Sequence, residues 1–236
     1  MGIHKEQSTL VIGGGAAGIE AARILGQAGY PVVLVEKSNW LGGVLNQLAS
    51  SFPRWEDPAQ FVEPRVKELE KCAAVKVLLE SVVSGCQKTE NGYRVQIKNN
   101  HGAVEELQAG AVIIATGFDL MDLSGYGEYG HGAFPNVLNS LEFEAVLKEW
   151  SAGQKPQKAP VVAFFKCVGS RDRAKGYPYC SKICCMYTAK QAGLVKDLLP
   201  DAKSYVFYMD YRASGKEYEE FVRSVIEDKH VRYVRG

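Results

Sequence analysis

The chain has 236 residues, 46% hydrophobic and 23% charged, with a net charge of +1, as expected for one large or two small globular domains. No basic run or face suggests nucleic acid, and the apolar runs fall far short of the roughly 20 residues of a membrane helix. Met1 to Ser8 is polar without a signal-peptide core, so six cysteines point to a reducing, cytoplasmic setting where thiols serve metal or redox chemistry.

Thr9-Leu10-Val11-Ile12 is a short apolar strand that runs into Gly13-Gly14-Gly15-Ala16-Ala17-Gly18. A helix of small and apolar residues follows, Ile19 to Ala28, then a strand from Pro31 to Val35 that closes with Glu36. A lone G-x-G-x-x-G says little. Between a strand and a helix, with an acid about twenty positions on, it marks a dinucleotide-binding unit. Gly13 permits the tight turn, Gly15 lets the backbone approach a pyrophosphate, and Gly18 lets helix and strand pack closely. The helix N-terminus faces the phosphates, and Glu36 accepts from the ribose hydroxyls. An ordinary glycine-rich βα turn is the bland alternative. The fingerprint does not choose between NAD and FAD.

Lys37 precedes Trp40-Leu41-Gly42-Gly43, a second glycine pair that allows another close backbone approach. Ser50 to Leu69 leads on from it, and Glu63 to Cys72 reads as an amphipathic packing helix. Val75 to Leu107 then reads as a three-stranded antiparallel meander, with turns at Asn91-Gly92 and Asn99-Asn100-His101-Gly102. A buried strand follows, ending in Ala115-Thr116-Gly117. This order resembles the FAD domain of the two-dinucleotide-domain flavoproteins. The resemblance implies FAD at Glu36, at the Gly42-Gly43 turn and at the Thr116-Gly117 strand end, with the Val82 backbone against adenine. Cys72 and Cys86 stand apart from the other cysteines and read as structural thiols.

Gly117 to Pro135 is a glycine- and tyrosine-rich loop; Asn139 or Ser140 caps a helix from Leu141 to Trp150, with Glu142 and Glu144 in its first turn. Gly153 to Pro160 reads as a linker. From Val161 the order is strand, cysteine loop, helix (Ser181 to Leu199), strand (Ser204 to Met209), helix (Lys216 to Glu227) and strand (Val231 to Val234). This is a second βαβ series and a second parallel sheet. The expected division is 1–125 for the FAD-binding domain, 126–160 for a linker with one helix, and 161–236 for the second domain.

Four cysteines, Cys167, Cys180, Cys184 and Cys185, follow the spacing C-x12-C-x3-C-C. The run Val161 to Phe165 delivers Cys167 to the end of a buried strand, and the other three open a helix whose free N–H groups favour negative charge. Adjacent Cys184 and Cys185 converge poorly on one zinc ion, whereas each can take a different iron of a [4Fe–4S] cube. Lys175, Lys182, Arg171 and Arg173 would offset the cluster's charge. Reduced core thiols are the alternative. The first turn of this half carries Cys167-Val168-Gly169-Ser170-Arg171-Asp172 and no G-x-G-x-x-G, so direct NAD(P)H chemistry is not expected there.

That hexad and the segment Tyr179-Cys180-Ser181-Lys182-Ile183-Cys184-Cys185-Met186-Tyr187 resemble the A subunit of heterodisulfide reductase and its relatives, among them the A subunit of the quinone-interacting membrane-bound oxidoreductase. Similarity extends through the glycine fingerprint, Ser140 to Glu144 and Tyr208 to Arg212, and so over nearly the whole chain. The resemblance implies FAD, and a [4Fe–4S] cluster on Cys167, Cys180, Cys184 and Cys185. It also implies electron exchange with partner subunits of a complex or with an electron-donor protein, and in some members flavin-based bifurcation. Members usually continue further, to complete the second domain, and longer ones carry ferredoxin-type C-x2-C-x2-C segments that are absent here. A separate polypeptide completing the fold is one expected partner; a fragment or a degenerate paralogue are the other readings.

The fold class expected is α/β: a Rossmann-like FAD-binding domain with a three-stranded β-meander, then a partial second Rossmann-like βαβ domain carrying the cysteines. The function expected is that of an FAD- and [4Fe–4S]-containing electron-transfer subunit of an oxidoreductase. The alternatives are a flavin-dependent dithiol reductase using Cys184-Cys185, and a non-catalytic scaffold. No nucleophile or general base stands out. His4, His101, His131 and His230 read as solvated surface.

Overall fold

The computed structural model describes residues 7–236, so His4 lies outside the described residues. The chain forms two compact units. One holds the chain up to Asn46 together with Pro58–Asp119; the other holds Gln47–Asp57 and Leu120–Gly236. The helix of the expected linker 126–160 thus groups with the second unit.

The first unit is built on β1 (Ser8–Ile12), α1 (Ala16–Gln27), β2 (Val32–Val35), α2 (Pro58–Lys71) and β3 (Val75–Leu78), followed by β4 (Ser81–Thr89), β5 (Gly92–Asn99) and β6 (Val104–Ile114). They form one six-stranded sheet in the order β3-β2-β1-β6-β5-β4. β1, β2, β3 and the end of β6 run parallel, and β4, β5 and β6 are antiparallel. Both faces of the parallel part are covered, so Val32 to Val35 are all buried and the strand shows no alternation. Val11, Val32 and Leu34 meet Ile19 and Ala22 of α1 and Val62 and Leu69 of α2. Leu10, Val33 and Val35 meet Val95, Ile97 and Ala109 of the meander.

Three boundaries differ from the sequence reading. The meander starts at β4, because β3 pairs in parallel with β2. Its last strand and the strand ending in A-T-G are one strand, β6, whose first half pairs with β5 and second half with β1. Helix α2 begins five residues earlier than expected and carries Pro64 inside it, at the cost of one backbone hydrogen bond.

The second unit contains α3 (Ser140–Ser151), β7 (Val161–Phe165), α4 (Cys184–Leu198), β8 (Lys203–Tyr208), α5 (Tyr218–Glu227) and β9 (Arg232–Arg235), with a parallel sheet in the order β7-β8-β9. Asn139 and Glu142 form a reciprocal capping box at the start of α3. Helix α4 is buried on most sides, between Phe221, Val222 and Val225 of α5 and Leu147 of α3. Lys190 and Glu144, each 1% exposed in the side chain, pair at 2.5 Å. Glu144 also accepts from Gln191 Nε2 and the Ala49 amide, and Lys190 donates to the Ser50 carbonyl. This polar knot ties α3, α4 and the segment 47–57 together.

β7 is not the buried strand expected. It lies at an edge, and Val161 and Phe165 are 66% and 60% exposed, on the side opposite Val162 and Phe164, which meet the helices. Helix α4 starts at Cys184, three residues later than expected, because Lys182 adopts a left-handed conformation (φ 60°). Of the histidines, His101 and His230 are exposed, but His131 is only partly so and pairs with Glu142 at 3.0 Å. Cys72 is half-buried, whereas Cys86 is exposed and packs into nothing.

Candidate functional site: a glycine cradle and a cysteine centre

The glycine loop follows from what a side chain would strike. Gly13 has φ 104°, and a Cβ there would lie 2.3 Å from the Ala115 carbonyl oxygen. A Cβ on Gly18 would lie 1.8 Å from the Gly13 oxygen, whereas one on Gly15 would meet nothing within 4 Å. The loop is therefore closed where it backs onto β6 and α1 and open at Gly15, the N-cap of α1. Ala16 and Ala17 begin α1, and the first-turn N–H groups that a helix leaves free lie at this end.

Glu36 ends β2 with only 6% of its surface exposed. Its carboxylate accepts from the Gly14 amide at 2.6 Å and the Ser38 amide at 2.8 Å, which fixes it beside the loop. The second glycine pair docks on the first: Gly42 donates to the Gly14 carbonyl at 2.8 Å, and a Cβ on Gly43 would come within 3.1 Å of Gly15 Cα. The Ala115 amide bonds the Ile12 carbonyl, which brings Thr116 and Gly117 (φ 71°) to the same strand ends. Val82 is half-exposed on β4, one residue beyond Ser81, whose amide donates to the Glu36 carbonyl. Lys37 is exposed. The cradle fits a dinucleotide: an open phosphate seat at a helix N-terminus with an oriented acid beside it.

In the second unit, Cys167 sits just past β7 with φ 64°, and the loop folds back on itself. Arg171 donates its amide to the Tyr179 carbonyl, Tyr177 donates to Gly169, and the Ser181 amide donates to Ser170 Oγ. Cys184 and Cys185 are buried at the first turn of α4. Cys185 Sγ accepts from Lys166 Nζ at 3.2 Å and from the Arg212 amide at 3.3 Å. Cys180 is not on the helix; its Sγ accepts from the Lys182 amide at 3.3 Å. Arg171 reaches Cys167 and pairs with Asp210 at 2.7 Å.

The thiols of Cys184 and Cys185 share a proton. Cys185 is drawn down to about 5, first by the hydrogen bond from Cys184 and, against burial, by the Arg212 amide and Lys166. Cys184 moves far up, first through that same bond, then through burial and the charges of Cys185 and Cys167. Cys167, Cys184 and Cys185 are thus within electrostatic reach of one another. Among the described residues no group of three or more His, Cys, Asp or Glu side chains is gathered as a finished metal site. The donor set nonetheless suits a thiolate-bound centre, with cationic and N–H partners on the sulfurs. The Tyr233 hydroxyl is buried with no hydrogen-bond partner among the described residues, and burial first, then the Cys185 charge, raise its pKa.

Sequence reasoning missed Lys166, Arg212 and Tyr233. Of the cations it named, Arg171 meets the centre, while Lys175 pairs with Glu128. Lys166 is adjacent to Cys167 in sequence, but its contact is to Cys185, and no spacing rule gives that.

Fold and cradle together define an α/β flavoprotein-type chain with a Rossmann-like FAD-binding fold. The chain belongs to the pyridine nucleotide-disulphide oxidoreductase family, which matches residues 7–162. It is similar to the A subunit of the H(2):CoB-CoM heterodisulfide,ferredoxin reductase of Methanothermobacter marburgensis, 28% identical over 319 positions that cover 99% of this chain and 48% of that protein. The iron-sulfur A subunit of the CoB–CoM heterodisulfide reductase of Methanocaldococcus jannaschii matches at the same identity and coverage. The chain spans about half the length of these relatives, and a matched span longer than its 236 residues means that they carry additional residues within it. Among solved structures, thioredoxin reductases of T. acidophilum and Lactococcus lactis each align with a TM-score of 0.60 at 17% identity, covering 98% of this chain and 64% of theirs. That likeness concerns the fold. Among the described residues no helix is long and apolar enough to cross a membrane.

Proposed function

We propose that this chain is the FAD- and [4Fe–4S]-containing electron-transfer part of a heterodisulfide reductase-like oxidoreductase complex, cytoplasmic and working with other subunits or an electron-donor protein. The observation that carries the reading is the cysteine centre: Cys167, Cys184 and Cys185 in mutual electrostatic reach, beside a parallel-sheet strand end where open α/β folds bind ligands. The printed name of the Methanocaldococcus jannaschii relative, which calls it an iron-sulfur protein, supports it.

A flavin, when bound, exchanges electrons in pairs or singly, and a cluster exchanges them singly, which suits a chain that links two kinds of partner. The chain's own residues do the holding. Gly15 leaves room for the pyrophosphate, and the amides of the first turn of α1 stabilise its charge. Glu36 keeps the glycine loop in place and accepts from the ribose, with Lys37, the Gly42-Gly43 turn, Val82 and Ala115 to Gly117 completing the site. Cys167, Cys180, Cys184 and Cys185 ligate the cluster, with Cys180 closing in from its loop.

Replacing Cys184 with Ala in anaerobically purified protein should remove most of the iron and leave the flavin bound. Full iron retention in that variant would remove Cys184 from the ligand set. A second reading, a flavin-dependent dithiol reductase, draws on the proton shared by Cys184 and Cys185. It requires the wild-type chain to carry flavin without iron or acid-labile sulfide.

A further inference from the structure

The cations around the cysteine centre are not equivalent. Two of them reach a thiol through their side chains, Arg171 at Cys167 and Lys166 at Cys185. Arg171 is matched by the Asp210 carboxylate at 2.7 Å, so the pair is close to neutral seen from the sulfurs. Lys166 has no carboxylate partner among the described residues. Its backbone is fixed because its amide donates to the Phe207 carbonyl at 3.2 Å, prolonging the β7–β8 ladder by one residue. Its ammonium lies 3.2 Å from Cys185 Sγ and 5.4 and 5.8 Å from the ring centres of Tyr208 and Tyr233. Those rings pack edge to face at 5.5 Å, and Tyr211 contacts both. The aromatic walls attract the cation by their quadrupoles without cancelling its charge.

We propose that Lys166 sets the reduction potential of the four-cysteine centre: its ammonium, held against Cys185 by the Tyr208 and Tyr233 rings, makes the centre easier to reduce. The inference rests on the reading of that centre as an iron–sulfur cluster. Adding an electron makes a thiolate-bound cluster more negative, and an unmatched positive charge at a ligand sulfur stabilises the reduced form more than the oxidised one. Lys166 takes no part in the chemistry itself; it is a tuning residue. Arg171, already matched by Asp210, contributes much less.

The test is an anaerobic potentiometric titration of the iron-loaded protein, read by electron paramagnetic resonance, with iron counted in each sample. Wild type is compared with Lys166→Met and Lys166→Arg. The methionine variant should keep its iron and become at least tenfold harder to reduce, a negative shift of about 59 mV for one electron. The arginine variant should return most of that shift. A methionine variant that keeps its iron with an unchanged or higher potential overturns the inference and leaves the cluster reading standing. Loss of iron in the methionine variant but not in the arginine one overturns it too, since Lys166 would then serve assembly. Wild-type protein without iron and sulfide removes the cluster reading, and the tuning role with it.

Discussion

The glycine cradle separates two kinds of glycine that the sequence motif writes alike. Gly18 is required by packing: a Cβ there would lie 1.8 Å from the Gly13 oxygen, so Gly18→Ala must push α1 away from the loop. Overpacking of this kind costs about 1–3 kcal/mol. A lowered Tm and lost flavin are expected together. Gly15 has an ordinary φ of −78° and open space where a Cβ would go, so Gly15→Ala should fold with an unchanged Tm and lose flavin affinity alone. Thermal unfolding beside flavin titration separates the two; an equal loss of Tm in both variants would contradict the cradle geometry. Glu36→Ala leaves the Gly14 and Ser38 amides without their acceptor and removes the ribose partner. With hydrogen bonds to a charged group worth about 1.5–3 kcal/mol, flavin affinity should fall about tenfold or more. These roles were legible in sequence, because the steric demand of a βα turn is local. The Lys166 contact was not, because it joins a strand end to a helix start nineteen positions away in the chain.

Helices α3 and α4 show where an element-level reading holds and where it stops. The Asn139 cap is local and readable, and Asn139 and Glu142 form the capping box. The Asn139 amide, more than His131, holds the Glu142 carboxyl below its ordinary range. A depressed acid contributes stability that is present above its unfolded pKa of about 4.3 and is lost as pH falls through the lower folded value. Glu142→Gln should therefore flatten the dependence of Tm on pH below about 4.3; an unchanged acid limb would count against this cap. Glu144, two residues on, looks like one more first-turn acid, yet it is buried against Lys190, 46 residues along. Removing one member of a buried pair typically costs about 3–5 kcal/mol, and replacing both with apolar residues costs far less. Lys190→Met should accordingly lower stability in denaturant unfolding much more than Lys190→Met combined with Glu144→Leu. The start of α4 was misread because a non-glycine residue in the left-handed region, Lys182, carries no sequence signal.

At the scale of the whole chain, the order of elements came through because hydrophobic runs and turn residues mark them one at a time. What did not come through was pairing between distant strands. β6 looked like two strands because its halves face different partners, one antiparallel in the meander and one parallel beside β1. β7 looked buried because an apolar run reads alike at an edge and at a centre, and only its place at the end of the three-stranded sheet leaves Val161 and Phe165 exposed. The two units carry separate chemistries, a nucleotide cradle and a thiol centre, and the proposed function requires both to be filled in one chain. Flavin, iron and acid-labile sulfide counted per chain in anaerobically purified wild-type protein test that requirement most directly. One flavin with about four irons and as many sulfides is the expected result. Flavin without iron, or neither cofactor, would contradict it.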